Sequence, residues 1–154
     1  VNHAAKLRYM YAGQVRVPLV MRLPIGRRHG YGATHSQSLE AWFLHVPGLS
    51  VVCPSNGADA VGLLRAAIRT DDPVLFLEPK LLYPARGPMP GPGHVVQLGQ
   101  ARIDRAGGDV TLFSYGQCVP VCRAAALPCS SVMSAPTRPV SRLPSAQSGP
   151  CPDT

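Results

Sequence analysis

The chain has 154 residues, 45% of them hydrophobic, and 15 Lys and Arg set against 8 Asp and Glu give it a formal net charge of +7. That composition suits a globular core and excludes a wholly disordered chain, and no apolar run approaches the roughly 20 residues that span a bilayer. The basic residues are dispersed, with Arg27-Arg28 the longest run and no interleaved aromatic residues to stack on bases, so neither a nucleic-acid nor a membrane partner is expected.

Residues 2–12 (NHAAKLRYMYA) combine good helix formers with Ala5, Leu7, Met10 and Tyr11 near helical spacing, and Gly13 supplies a stop. The β-branched and apolar run 15–24 predicts a strand ending at Pro24. Residues 25–34 are rich in Gly and Arg without periodicity, which marks a loop. A short helix is expected over 38–46, closed by Pro47-Gly48, and a compact apolar strand over 49–54. The clearest helix runs from Asn56 to about Arg69. Asn56 caps its free N–H groups, Asp59 sits at the positive end of its dipole, and Ala60, Leu63, Leu64, Ala67 and Ile68 form one apolar stripe. Asp71-Asp72-Pro73 ends it, and 74–78 (VLFLE) predicts a buried strand.

Helix and strand thus alternate three times. That order predicts an α/β fold, with a parallel sheet covered by helices on both faces. Ligands of such sheets gather beyond the carboxyl ends of the strands, where the 25–37 loop lies. The Pro- and Gly-rich stretch from Pro84 reads as a linker, and 95–104 as short β-like sequence. Residues 109–116 (DVTLFSYG) predict a strand, and 118–126 (CVPVCRAAA) the beginning of a helix despite Pro120. The expected organisation is a partial ligand-binding domain over 1–83, a linker and connecting strand over 84–108, the start of a second α/β domain over 109–126, and a disordered or frame-shifted tail over 127–154. Six Pro and six Ser among the 28 residues of that tail leave too little apolar surface to offset the entropy of ordering it.

Five cysteines, an odd number, and no visible secretory signal argue against a disulfide framework and for a reducing compartment. Cys118 and Cys122 stand one helical turn apart, but no second pair or His partner at zinc-like spacing accompanies them.

Four phrases in order, NHAAKLRYMYAGQ (2–14), VPLVMRLPIG (17–26), GATHSQSLEAWFLHVPGLSVVCPS (32–55) and GLLRAAIRTDDPVLFLEPKLLY (62–83), make residues 1–126 resemble the β subunits of pyruvate, acetoin and branched-chain 2-oxo acid dehydrogenases. THSQSLEAWF is the most specific of them. The resemblance implies a transketolase-like pyrimidine-binding domain, followed at 109–126 by the start of the family's C-terminal domain. It implies thiamine diphosphate with magnesium, shared with an α subunit in an α2β2 assembly, and acyl transfer to the lipoyl domain of a dihydrolipoyl acyltransferase. Pyruvate is the expected 2-oxo acid. The expected location is cytoplasmic for a bacterial chain, or the mitochondrial matrix for a eukaryotic one. Val1 in place of Met, and a tail from Leu127 that resembles nothing in the family, suggest a subunit cut short at both ends.

His35 matches the family's active-site histidine, which faces the cofactor and the arriving lipoyl group. An imidazole suits that task because it exchanges protons near neutral pH. The family's cofactor-activating glutamate and its aromatic contacts to the aminopyrimidine have no counterpart here, so no cofactor-binding residue is carried over. The only glutamates, Glu40 and Glu78, read as structural. His29 and His45 read as surface or cap residues, and Arg27 and Arg28 as a solvated loop. By the same resemblance Leu19, Ala67, Ile68, Thr70 and Asp72 mark a potassium site built from backbone carbonyls, with a plain helix C-terminus as the other reading. Hard cations take oxygen ligands, and the last carbonyls of a helix are free to provide them. Two further readings stay open: a non-catalytic subunit-docking fragment, and an inactive product of a damaged gene.

Overall fold

A computed structural model describes residues 1–127. In chain order it contains α1 (Leu7–Met10), β1 (Val20–Ile25), α2 (Glu40–Leu44), β2 (Ser50–Val52), α3 (Gly57–Arg69), β3 (Val74–Pro79), a 3₁₀ turn (Lys80–Leu82) and α4 (Cys118–Ala126). The expected alternation of helix and strand is present, and the three strands form a parallel sheet in the order β1-β3-β2. Val20 pairs with Val74 on one side of β3, and Ser50 pairs with the same residue on the other.

The central position of β3 explains why VLFLE reads as a continuous apolar run. Both of its faces are covered, so the period-2 alternation of a half-exposed strand is absent. Val74 and Phe76 point to one face, where they join Val52 and Ala67 with Leu63 and Leu64 of α3. Leu75 and Leu77 point to the other, where they join Ile25 with Phe43 of α2. Phe76 and Leu77 are 2% and 1% exposed, so this strand forms the middle of both cores. One layer of sheet therefore lies between two unequal helical layers.

α3 carries its predicted cap. The Asn56 side-chain oxygen accepts from the Asp59 backbone N–H at 2.8 Å, satisfying one of the donors that a helix start leaves free. The Asp59 carboxylate, only 8% exposed, accepts from Ser55 Oγ at 2.6 Å, Asn56 Nδ2 at 2.8 Å and Arg102 Nη1 at 2.7 Å.

Several boundaries differ from expectation. The first helix is a single turn, Leu7–Met10, rather than 2–12. Lys6 provides no capping side chain, and Tyr9 and Tyr11 remain 91% and 54% exposed, so no buried apolar face holds further turns in place. β1 begins at Val20 instead of residue 15 because Pro18 has no N–H to offer a ladder, and it continues through Pro24 to Ile25. An edge strand tolerates proline where a central one does not, and β1 is an edge.

The strand expected over 109–116 does not form, nor does one over 95–104. Alternating apolar residues become a strand only by pairing, and these segments pair with no strand among the described residues. Ile103, Val110 and Phe113 stay 78%, 77% and 85% exposed. The helix expected after them is present as α4. Pro120 lies in its first turn, where a missing N–H costs no intrahelical bond.

Residues 84–117 contain no helix or strand, but part of this stretch is strapped across α3. Arg65 Nη1 donates to the carbonyls of Gly91 at 3.3 Å and His94 at 3.1 Å. Gly62 makes room for the strap, since a Cβ there would lie 2.5 Å from Val96 and 2.8 Å from the His94 ring. The ladder Asp59–Arg102–Asp104–Arg123 then carries the strap on to α4. The tail expected to be disordered lies outside the described residues, except for Leu127.

Candidate functional site

The three parallel strands all end at one rim, at Ile25, Val52 and Pro79, and the residues just beyond these points gather there. The loop after β1 is closed at its base by the Gly26 N–H, which donates to the Gln37 carbonyl at 2.7 Å. Gly26 is buried with φ at +72°, a conformation open to glycine and strained for other residues. A Cβ at this position would also meet Gln117 Oε1 at 3.4 Å and Ser38 Oγ at 3.6 Å.

His35 stands in this loop, its side chain solvent-exposed. Its backbone carbonyl accepts a hydrogen bond from Lys80 Nζ. Lys80 is the first residue after β3, and its ammonium also lies 5.0 Å from the centre of the Tyr31 ring. Beside His35, Ser36 Oγ is buried with no hydrogen-bond partner among the described residues. Gln117 Oε1, beside Gly26 at the base of the loop, is in the same condition.

A cavity of about 520 Å³ opens at the rim, lined among others by Ile25, Glu40, Cys53, Pro79, Phe113 and Gln117. Burial pushes the Cys53 thiol up to about 12, with the Glu40 carboxylate adding to the effect. Tyr115 is raised for the same two reasons. These groups are therefore neutral at physiological pH, and the cavity wall is mostly apolar. Gly116 lets the second segment reach the wall, because a Cβ there would lie 2.7 Å from the Cys53 sulfur.

Of the two glutamates, Glu40 lines this cavity and Glu78 is tied up by its neighbours. Glu78 accepts from Arg22 Nε at 2.6 Å and from Tyr83 Oη at 3.0 Å. Glu40 stands in the first turn of α2, where it favours the helix dipole. His45 is the C-terminal cap residue of α2, and His29, Arg27 and Arg28 lie exposed in the loop. Sequence reasoning passed over Lys80, Cys53 and Gln117. Lys80 had a legible signal, since it follows a buried strand at the same carboxyl-end rim as His35.

Leu19 and the C-terminus of α3, which carry the expected cation site, lie at the opposite end of the sheet. The Val74 N–H donates to the Leu19 carbonyl at 2.8 Å, and the Val17 N–H donates to the Asp71 carbonyl at 2.8 Å. These bonds bring the start of β1 beside the C-terminus of α3. The Ala67 carbonyl accepts from the Thr70 N–H at 3.3 Å. Ile68 is 64% exposed. Asp72 receives Arg8 Nη1 on both carboxylate oxygens at 2.8 Å, a pairing that raises the Arg8 guanidinium above its ordinary value. A larger recess of about 900 Å³ opens at this end, with Arg8, Gly48 and Asp72 in its wall. Among the described residues, no cluster of three or more His, Cys, Asp or Glu side chains is placed to hold a metal ion. No described helix is long and apolar enough to cross a membrane.

Comparison with known proteins adds the family. Residues 1–86 match the transketolase pyrimidine-binding domain. The chain is 50% identical over 121 residues to the mitochondrial pyruvate dehydrogenase E1 component subunit beta of Caenorhabditis elegans, covering 76% of this chain and 34% of that protein. It is 48% identical over 123 residues to the mitochondrial pyruvate dehydrogenase E1 component subunit beta-2 of Oryza sativa subsp. japonica, covering 77% and 33%. A third relative, the acetoin:2,6-dichlorophenolindophenol oxidoreductase subunit beta of Cupriavidus necator, is 46% identical over 115 residues, covering 75% and 34%. The chain thus spans about a third of the length of the curated relatives it matches. With a parallel α/β sheet and a domain match over more than half its length, the chain belongs to the transketolase pyrimidine-binding family, in a branch similar to the β subunits of pyruvate dehydrogenase.

Proposed function

We propose that the chain is part of the β subunit of the decarboxylating component of a 2-oxo acid dehydrogenase, with pyruvate as the 2-oxo acid. In the assembled enzyme it would pair with an α subunit and serve acyl transfer to lipoyl groups. One observation carries the reading: the loop bearing His35 lies at the carboxyl-end rim of a parallel sheet, where such sheets take their ligands. An exposed imidazole at that rim suits proton exchange with an arriving substrate or acyl acceptor.

The described residues do not complete a thiamine diphosphate site. Activation of the cofactor needs a carboxyl group beside its aminopyrimidine. Glu78 is already held by Arg22 and Tyr83, and Glu40, in the first turn of α2, lines the rim cavity together with Cys53. Thiamine diphosphate and magnesium belong to the assembled α and β subunits, and potassium to the carbonyls of Leu19, Ala67, Ile68, Thr70 and Asp72. The domain limits proposed above, with a second α/β unit starting at 109, go with this reading.

A second reading is a docking module without catalysis. Trp42 and Leu44 are 71% and 63% exposed on the outer side of α2, and Tyr9 is 91% exposed on α1. Large apolar groups left in solvent suit a subunit interface.

The test mixes the purified chain with a pyruvate dehydrogenase α subunit. It then measures co-elution, binding of thiamine diphosphate with magnesium, and release of carbon dioxide from pyruvate. Co-elution with cofactor binding is the expected result, and no carbon dioxide is expected from the chain alone. Co-elution without cofactor binding would favour the docking module, and no association at all would overturn both readings.

A further inference from the structure

Lys80 is the first residue beyond β3, the central and most buried strand of the sheet. It is therefore anchored on the least mobile element of the fold. Glu78, two residues earlier, is already held by Arg22 and Tyr83. Both contacts of the Lys80 ammonium named above instead reach into the loop after β1: the hydrogen bond to the His35 carbonyl and the approach to the Tyr31 ring. A lysine suits this pair of partners. Its three donors sit on a flexible stem, so one ammonium serves a carbonyl and a ring face together. With the Gly26–Gln37 bond closing the base, the loop is held at three points along its length.

We propose that Lys80 is a positioning residue for His35, clamping the Tyr31–His35 segment to the end of the central strand so that the imidazole is presented at the rim. This inference rests on the functional reading of His35 given above. The contact is to the main chain of His35, so the clamp fixes where the imidazole is rooted while leaving the ring free to exchange protons. Geometry held to within an ångström is what a proton-transfer group needs to act on a bound partner.

The test reads backbone order directly and requires no turnover. Amide ¹⁵N relaxation is recorded on the chain as it exists, on Lys80→Met, which removes the ammonium, and on Lys80→Arg, which keeps a cationic donor. In the unaltered chain, residues 31–35 are expected to show order parameters near 0.85, as rigid backbone does, with values below about 0.6 in Lys80→Met. β3 and α3 should keep their values, and Lys80→Arg should restore most of the order at 31–35. Unchanged order at 31–35 in Lys80→Met would overturn the clamp. So would an equal loss across β3, which would mark a general loosening, or a Lys80→Arg chain as mobile as Lys80→Met. If Lys80→Met does not fold, Tyr31→Leu serves instead, because it removes the ring and leaves the sheet untouched. Order lost at 31–35 supports the clamp, and order kept there overturns it. Failure to bind thiamine diphosphate in the assembly experiment would remove the role of His35 while these order parameters still stood, so the two failures are told apart.

Discussion

Gly48 and Ala5 approach so closely that a Cβ on Gly48 would lie 1.8 Å from the Ala5 carbonyl oxygen. Gly48 also has φ at +82°, so two separate constraints demand glycine there. Gly13 isolates the second of them: its φ is +80°, but nothing lies within 4 Å of a Cβ. Gly13→Ala should cost about 1–2 kcal/mol from backbone conformation alone. Gly48→Ala should exceed about 4 kcal/mol, because the segment before α1 must leave the turn after α2. Urea midpoints of the two variants decide it, and equal losses would refute the packing argument.

The Asp59 carboxylate joins the start of α3 to the strap through three partners. Asp59→Ala strands the donors of Ser55, Asn56 and Arg102, and should cost roughly 1–3 kcal/mol. Arg102 is 53% exposed, so its coupling to Asp59 in a double-mutant cycle should reach no more than about 1 kcal/mol and shrink in high salt. Coupling that is large and insensitive to salt would show that the pair is drier than its exposure indicates.

Cys53 gives the fold a dependence on alkaline pH. Burial raises its thiol from an ordinary 9.0 to about 12 in the folded chain, so folding favours the protonated form. The corresponding stability is fully present below 9.0 and is lost as pH rises toward 12. A Cys53→Ala chain should lack that loss, as pH-dependent denaturation would show. At pH 8, iodoacetamide should label the exposed Cys118 well before Cys53.

The two faces of the molecule should respond very differently to the same truncation. Phe76→Ala empties the middle of the core and should cost about 3–5 kcal/mol. Phe113→Ala, at 85% exposure, should stay within about 0.5 kcal/mol. Melting curves of the pair check both. A large loss at Phe113 would mean that its segment packs more firmly than its exposure shows.

The sequence made the sheet legible because its signals were local and mutually consistent. The Asn56 cap, the apolar stripe of α3 and the unbroken run of β3 each lie within a short window, and each formed as expected. The 109–116 segment was misread because its alternation holds no information about whether a neighbouring strand exists to pair with it. The helix over 2–12 shrank for a related reason: its spacing was right, but Tyr9 and Tyr11 stay largely exposed, with little among the described residues to pack against. At the rim, the THSQSLEAWF motif drew attention to His35, which lies exposed in the loop. The Lys80 contact joins residues 45 positions apart, and Gln117 reaches Gly26 from a segment distant in sequence, so neither shows in a periodicity. The carbonyls of the expected cation site leave no trace in residue type at all, since every residue has one.

The strand order sets a schedule for assembly. Among the described residues β1 and β2 do not pair with each other; each pairs with β3, the last of the three to be made. Val20 and Ser50 must both wait for Val74 before either edge has a partner. Among the three described strands no pair can form until VLFLE has been made, and until then Val51, Val52 and Met21 lack their partner strand. Synthesis halted anywhere before residue 74 would leave β1 and β2 without the one strand to which both are bonded.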